Sequence, residues 1–155
     1  MSAGGGRLLR QTLLVWIVGG LVSNFAWEML QSRLYVMPGS LEQHAWGCFL
    51  ASLADVGILA GLYGFLMLLT RERYWFLRLS GLSLLLLAAT GFSVAILVER
   101  RALERGDWKY APAMPLVPGL GVGWSPVLQM ALIPLGLAWL SHVWARRTVR
   151  EVESG

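Results

Sequence analysis

Glu28, His44 and Asp55 are the side chains in this sequence best suited to acid-base catalysis, because each is ionisable and lies in or beside a long apolar block. Two carboxyl groups and an imidazole in a low-dielectric pocket hold their protons with different strengths, and such a set can move protons to and from an apolar substrate. Isomerisation, cyclisation or hydration of a lipid or isoprenoid would suit this equipment. Asp55 is the strongest single signal. It sits about ten residues, or about 15 Å of helix, into its apolar block. A charge near mid-bilayer costs about 2.5–3.5 kcal/mol on insertion scales, so a carboxyl there is protonated, paired or functional. The bland alternative is a hydrogen bond that ties helices together.

Around these three stands a wider polar set. Asn24, Glu28 and Gln31 are spaced i, i+4, i+7 and share one helix face, with Tyr35 next along it. Glu28 and Gln31 could simply be solvated at a helix end, but Asn24 lies deeper in the apolar block. Glu99 closes the third block, Gln129 lies a turn into the fourth, and the loop between those blocks supplies Trp108 and Tyr110. Asn24, Gln31, Glu99, Trp108, Tyr110 and Gln129 are therefore the expected ligand-binding residues. No metal or cofactor is expected. The ligand types occur, yet there is no His-x-x-x-His or Glu-x-x-His pair, and His44 and His142 fall on opposite sides. A Gly-x-Ser-x-Gly elbow, a phosphate loop and a nucleotide fingerprint are all absent from the sequence. The one cysteine, Cys48, allows no internal disulfide and reads as a small packing residue.

The elements that must position these residues are membrane helices. Of the 155 residues 56% are hydrophobic and 14% charged, against about 25% charged in a soluble domain. The mean hydropathy is +0.59. A bilayer core needs about 20 apolar residues in a helix. Four blocks qualify, with spans expected at about 13–35, 45–69, 76–98 and 126–144 in a single membrane domain covering 1–155. None shows the two-residue alternation of a barrel strand. The first follows Arg7 and Arg10 as a signal peptide would, but it lacks a clear small-x-small cleavage site and reads as a retained span. The expected fold class is all-α, an integral membrane bundle of four transmembrane helices. Gly57 and Gly61 on the second helix, with Gly64 beyond, suggest close small-xxx-small packing.

Basic residues set the expected orientation. Arg7, Arg10, Arg71, Arg73, Arg78, Arg146, Arg147 and Arg150 fall on one side, against Arg33, Arg100, Arg101, Arg105 and Lys109 on the other. That bias predicts both termini in the cytoplasm and accounts for the net charge of +4 without nucleic acid. The connection around 70–75 reads as a tight turn, and Pro38-Gly39-Ser40 as a helix stop. Residues 99–105 should carry the third helix into the headgroups. The outer loop that follows is rich in proline and glycine and should lie in the interface or fold back over the bundle. Ser125-Pro126 reads as the start of the fourth helix, and Pro134 should kink it, freeing the carbonyl of Met130.

The leading functional expectation is a pocket near the outer leaflet that binds or converts a lipophilic molecule. A non-catalytic accessory or assembly subunit is one alternative, and an oligomeric transporter or channel protomer another. Membrane lipids are the expected surroundings in each case, with a protein partner or a second copy as a further associate.

Overall fold

The computed structural model describes residues 3–36 and 39–153, helical apart from the connections, of which the one between residues 105 and 124 is long. Four helices among them are long and apolar enough to cross a membrane: Gly6–Leu34, Leu41–Thr70, Gly81–Arg105 and Trp124–Arg147. The first is composite. It consists of α1 (Ala3–Leu13), a π-helical stretch Leu14–Gly19, α2 (Gly20–Gln31) and a 3-10 turn Ser32–Leu34. The others are α3 (Leu41–Thr70), α4 (Gly81–Arg105) and α5 (Trp124–Glu153). Many large apolar side chains point outward, among them Val22, Leu68, Leu82, Leu85 and Trp139. A surface of this kind suits hydrocarbon rather than water.

Local chemistry fixes the helix ends, and several differ from the sequence expectation. The first helix begins at Ala3 rather than about 13. α5 begins at Trp124 and runs to Glu153, so Ser125, whose hydroxyl accepts from the Trp27 indole N–H, and Pro126 lie within its first turn. α3 begins at Leu41, because Ser40 and Gln43 form a reciprocal capping box. The Ser40 hydroxyl accepts from the Gln43 N–H, and the Gln43 side chain accepts from the Ser40 N–H. His44 therefore sits in the first turn of α3 instead of preceding it. Pro38, expected to stop the first helix, lies outside the described residues. The third span starts at Gly81 and not at 76. Trp75–Arg78 form a separate 3-10 turn whose Trp75 and Phe76 are buried under the bundle, and the Ser80 hydroxyl then caps α4 by accepting from the Ser83 N–H. α4 runs on to Arg105 and ends at Gly106, whose φ of 73° suits the left-handed position after a helix.

The two ends of the bundle are filled differently. At the end holding the α3–α4 turn, Trp16, Leu59, Leu62, Leu66, Phe76, Leu87 and Leu137 form a continuous apolar core. Trp16 stands edge-on to Tyr63 and Trp75, and its indole N–H donates to Ser141 at 3.0 Å. His142 packs into the same end, with Nδ1 2.7 Å from the Phe76 carbonyl. At the opposite end a smaller cluster of Ala95, Val117, Val122, Val127 and Met130 docks the long α4–α5 loop onto its helices. The rest of that end is polar or hollow.

The close-packing glycines are not those expected from spacing. A Cβ at Gly57, Gly61 or Gly64 would meet nothing within 4 Å, so that face of α3 is not a helix contact within the chain. The tight approaches are at Gly20, where a Cβ would lie 2.9 Å from Leu59, and at Gly91, where it would run into the backbone carbonyl of Met130. Pro134 lies within α5 and has no N–H to bond that carbonyl. Gly91 lets α4 close over the freed group, in the manner of a Cα–H···O contact. Gly91→Ala is therefore expected to destabilise the bundle by about 1–3 kcal/mol through forced separation of α4 and α5. Gly61→Ala should be near neutral. Denaturant unfolding of both variants in mild detergent checks the contrast, and equal stability would contradict the assigned contact.

Candidate functional site

Gln129 is the hub of the polar end. It enters from the second turn of α5, is 2% exposed, and reaches residues on both α2 and α3. Its Nε2 lies 2.9 Å from Asn24 Oδ1, 3.0 Å from Glu28 Oε1 and 2.9 Å from Asp55 Oδ2. Gln31 completes the set by donating through Nε2 to Glu28 Oε1 at 2.8 Å and to Gln129 Oε1 at 2.9 Å. Asn24 is anchored in turn, its Nδ2 donating to the Gly20 carbonyl at 2.8 Å. A primary amide nitrogen carries two hydrogens, and three acceptors surround this one, two of them carboxyl oxygens. Gln31 also serves Glu28 Oε1, so the four hydrogens of the two Nε2 groups meet four acceptor atoms, on Asn24, Glu28, Asp55 and Gln129. Gln31 Oε1 is buried with no partner. Glu28 and Asp55 thus meet at one amide nitrogen.

Glu99 has a different setting. It is 4% exposed, and its Oε2 accepts from the Tyr110 hydroxyl and, at 3.2 Å, from the Trp108 indole N–H. The Tyr35 phenol is a further hydrogen-bond partner. The Tyr110 oxygen also accepts from the Gly123 N–H at 2.9 Å, which ties both ends of the long loop to one carboxylate. The backbone adds a short bridge, with Val36 N–H donating to the Lys109 carbonyl at 2.8 Å and Ala111 N–H to the Leu34 carbonyl at 2.9 Å. Burial, reinforced by the neighbouring Glu99, lifts the Tyr35 phenol above its ordinary range; burial and the Glu99 bond do the same for Tyr110. Both phenols therefore remain donors at any ordinary pH. Glu99 is a clasp for the loop. Tyr110→Phe removes the anchor at both points, and backbone amides in 108–123 should exchange about tenfold faster in mild detergent, equivalent to about 1.4 kcal/mol of lost local stability. Unchanged exchange would mean that the backbone bridge alone holds the loop.

Between these two groups lies a cavity of about 540 Å³, within the size range of small-molecule sites. Its walls are largely apolar, from Ala51, Ala54 and Ile58 on α3, Ala95 and Val98 on α4, and Met130 on α5. Glu28, Asp55, Glu99 and Gln129 form its polar side. The lining runs along α3 from Gln43 to Ile58, about 22 Å of helix at 1.5 Å per residue. Ala51 and Ala54 on α3 and Val98 on α4 line the cavity and are exposed. The cavity is therefore open rather than sealed.

The structure brings together most residues singled out by sequence and separates one. Asn24, Glu28, Gln31, Asp55 and Gln129 form one network, and Glu99, Trp108 and Tyr110 a second. His44 lines the same cavity, but it lies eleven residues from Asp55 on one helix, about 16 Å along the axis. No direct proton transfer can join them. His44 Nε2 is buried without a hydrogen-bond partner. Sequence reasoning missed Tyr35 as a partner of Glu99 and missed the cavity wall. Cys48 and Ala51 stand at i−7 and i−4 from Asp55, so the small residues on the Asp55 face were the signal that could have marked the hollow. Among the described residues no three His, Cys, Asp or Glu side chains are grouped to hold a metal. Comparison with protein-family models, with curated proteins and with solved structures yields no match.

Proposed function

We propose that this protein admits a lipophilic molecule from the outer leaflet of the cytoplasmic membrane between α3 and α4, and acts on it by proton transfer at the Glu28–Asp55 pair. The orientation rests on the arginine bias, which keeps both termini in the cytoplasm and turns the cavity to the outer side. The long Pro/Gly-rich loop, clasped by Glu99, then roofs the cavity from outside.

The observation that carries the reading is the meeting of two carboxyl groups, Glu28 and Asp55, at one amide nitrogen beside an apolar cavity. Two carboxyl groups this near in a poorly solvated pocket do not both carry charge readily, so one of the pair keeps its proton while the other is free to accept one. That pair faces the space a ligand would fill. Asp55, deepest along α3, is the donor to the ligand; Glu28, fixed by Gln31 and Gln129, receives and returns the proton. Gln129, Gln31 and Asn24 are positioning residues.

The accessory-subunit reading retains one supporting observation, the direct Asn24–Gln129–Gln31 bonds that join α2 to α5. The two readings separate by experiment. Wild type and Ala54→Trp, which places bulk at the cavity wall and keeps every polar side chain of the network, are purified in mild detergent, and their bound small molecules are compared by mass spectrometry. A specific lipophilic species present with wild type and lost from the tryptophan variant is the expected result. Bulk membrane lipids in equal amount with both would overturn the proposal.

A further inference from the structure

The charge and donor inventory of the cavity goes further than its size, because it decides which end group a ligand can carry. Four acidic side chains line the cavity, Glu28, Asp55, Glu99 and Asp107, and the lining contains no lysine or arginine. His44 is the one lining side chain that can become cationic, and it stands at the far rim from Asp55. Asp107 is paired outward with Arg105 at 2.9 Å, which leaves the three deeper carboxyl groups.

Their hydrogen-bond partners are neutral, and those donors are already engaged. Gln129 Nε2 is spent on Asn24, Glu28 and Asp55. Gln31 Nε2 is spent on Glu28 and on Gln129 itself. Trp108, Tyr110 and Tyr35 are all directed to Glu99. A phosphate or carboxylate entering this end would meet like charge in a poorly solvated space and no free donor. Burying an unpaired ion there is strongly unfavourable. A hydroxyl or an amine, by contrast, brings hydrogens that the remaining lone pairs of these carboxyl groups can accept.

From this we infer the substrate class of the site: an apolar chain or ring system ending in a hydrogen-bond-donating, neutral or cationic group, an alcohol or an amine, with anionic lipids rejected. The inference rests on the proposed ligand cavity and deepens it. It also gives the protein a means of selecting a minor lipid from a bilayer whose bulk components carry phosphates. The carboxyl pair does two things at once, receiving the donor head and excluding the acids.

The test uses four amphiphiles with one identical apolar chain and an alcohol, primary amine, carboxylate or phosphate monoester as head. Binding to the full-length protein in mild detergent is measured by competition, with Ala54→Trp as the blank for partition into the micelle. The alcohol and the amine should bind at least about tenfold more tightly than the carboxylate and the phosphate, a difference of about 1.4 kcal/mol. Asp55→Asn removes one acid and adds an amide donor, so it should narrow that gap by raising the affinity for the carboxylate head. Equal or tighter binding of the anionic heads to wild type would overturn the inference while leaving the cavity proposal standing. No head binding above the Ala54→Trp blank would overturn both.

Discussion

Gln129→Met is expected to lower the stability of the bundle by about 3 kcal/mol, the largest loss from any size-conserving substitution at the site. A single interhelical hydrogen bond in a membrane protein contributes about 0.6 kcal/mol on average, which alone would make the change mild. Gln129, however, serves Asn24, Glu28 and Asp55 and accepts from Gln31. Its loss strands several buried groups together, each at about 1–3 kcal/mol. Methionine fills a similar volume, so the loss reports polar pairing and not a cavity. Unfolding in a denaturing detergent titration measures it. A loss under about 1 kcal/mol would show that the network is not a structural hub.

Asp55 should behave in the opposite way. Gln129 can turn the hydrogen that Asp55 accepts toward Glu28 Oε1, 3.0 Å away, so removing Asp55 strands no donor. Asp55→Leu is therefore expected to fold within about 1 kcal/mol of wild type or to be more stable, since an ionisable group has also left the bilayer. Asp55→Asn should fold equally well. Both should lose proton-transfer activity by about 10²–10⁴-fold, the usual contribution of a positioned acid or base. Stability and activity thus separate at this residue. Collapse of the fold in Asp55→Leu would instead favour the accessory-subunit reading, in which the carboxyl serves as helix glue.

Much of the helical layout was legible in the sequence because a membrane span is a length-and-composition signal. Four apolar blocks predict four spans, and among the described residues four helices are long and apolar enough to cross a membrane. Errors arose where local hydrogen bonding decides. The Ser40–Gln43 capping box advanced α3 to Leu41, and the burial of Trp75 and Phe76 made a 3-10 turn where the third span was expected to begin. The small-residue spacing of Gly57 and Gly61 suggested a contact that is actually made by Gly20 and Gly91. Spacing shows that two residues share a face; it does not show which neighbour that face meets.

The same limit applies to the site. The stripe Asn24–Glu28–Gln31 and the depth of Asp55 could be read from one helix at a time, since helical periodicity and hydropathy are local. That Gln129 joins them could not, because the contacts cross about a hundred residues of chain. Nor could the partners of either carboxyl be read. The sequence separates Asp55, deep in its block, from Glu99, which closes its own, but not the three aromatic donors that enclose Glu99 from the amide nitrogen that Asp55 shares with Glu28. Their roles divide on hydrogen-bond partners, and those are a property of the packed bundle.

Proton transfer to a bound lipophilic molecule is tested most directly by isotope. Purified wild type and Asp55→Asn are incubated in deuterated buffer with a total lipid extract of the native membrane, and the extract is profiled by mass spectrometry. One lipophilic species should gain deuterium, or shift in mass by hydration, with wild type and not with Asp55→Asn. No species that changes with wild type, or one that changes equally with both proteins, would contradict the assignment of Glu28 and Asp55 as a proton-exchanging pair.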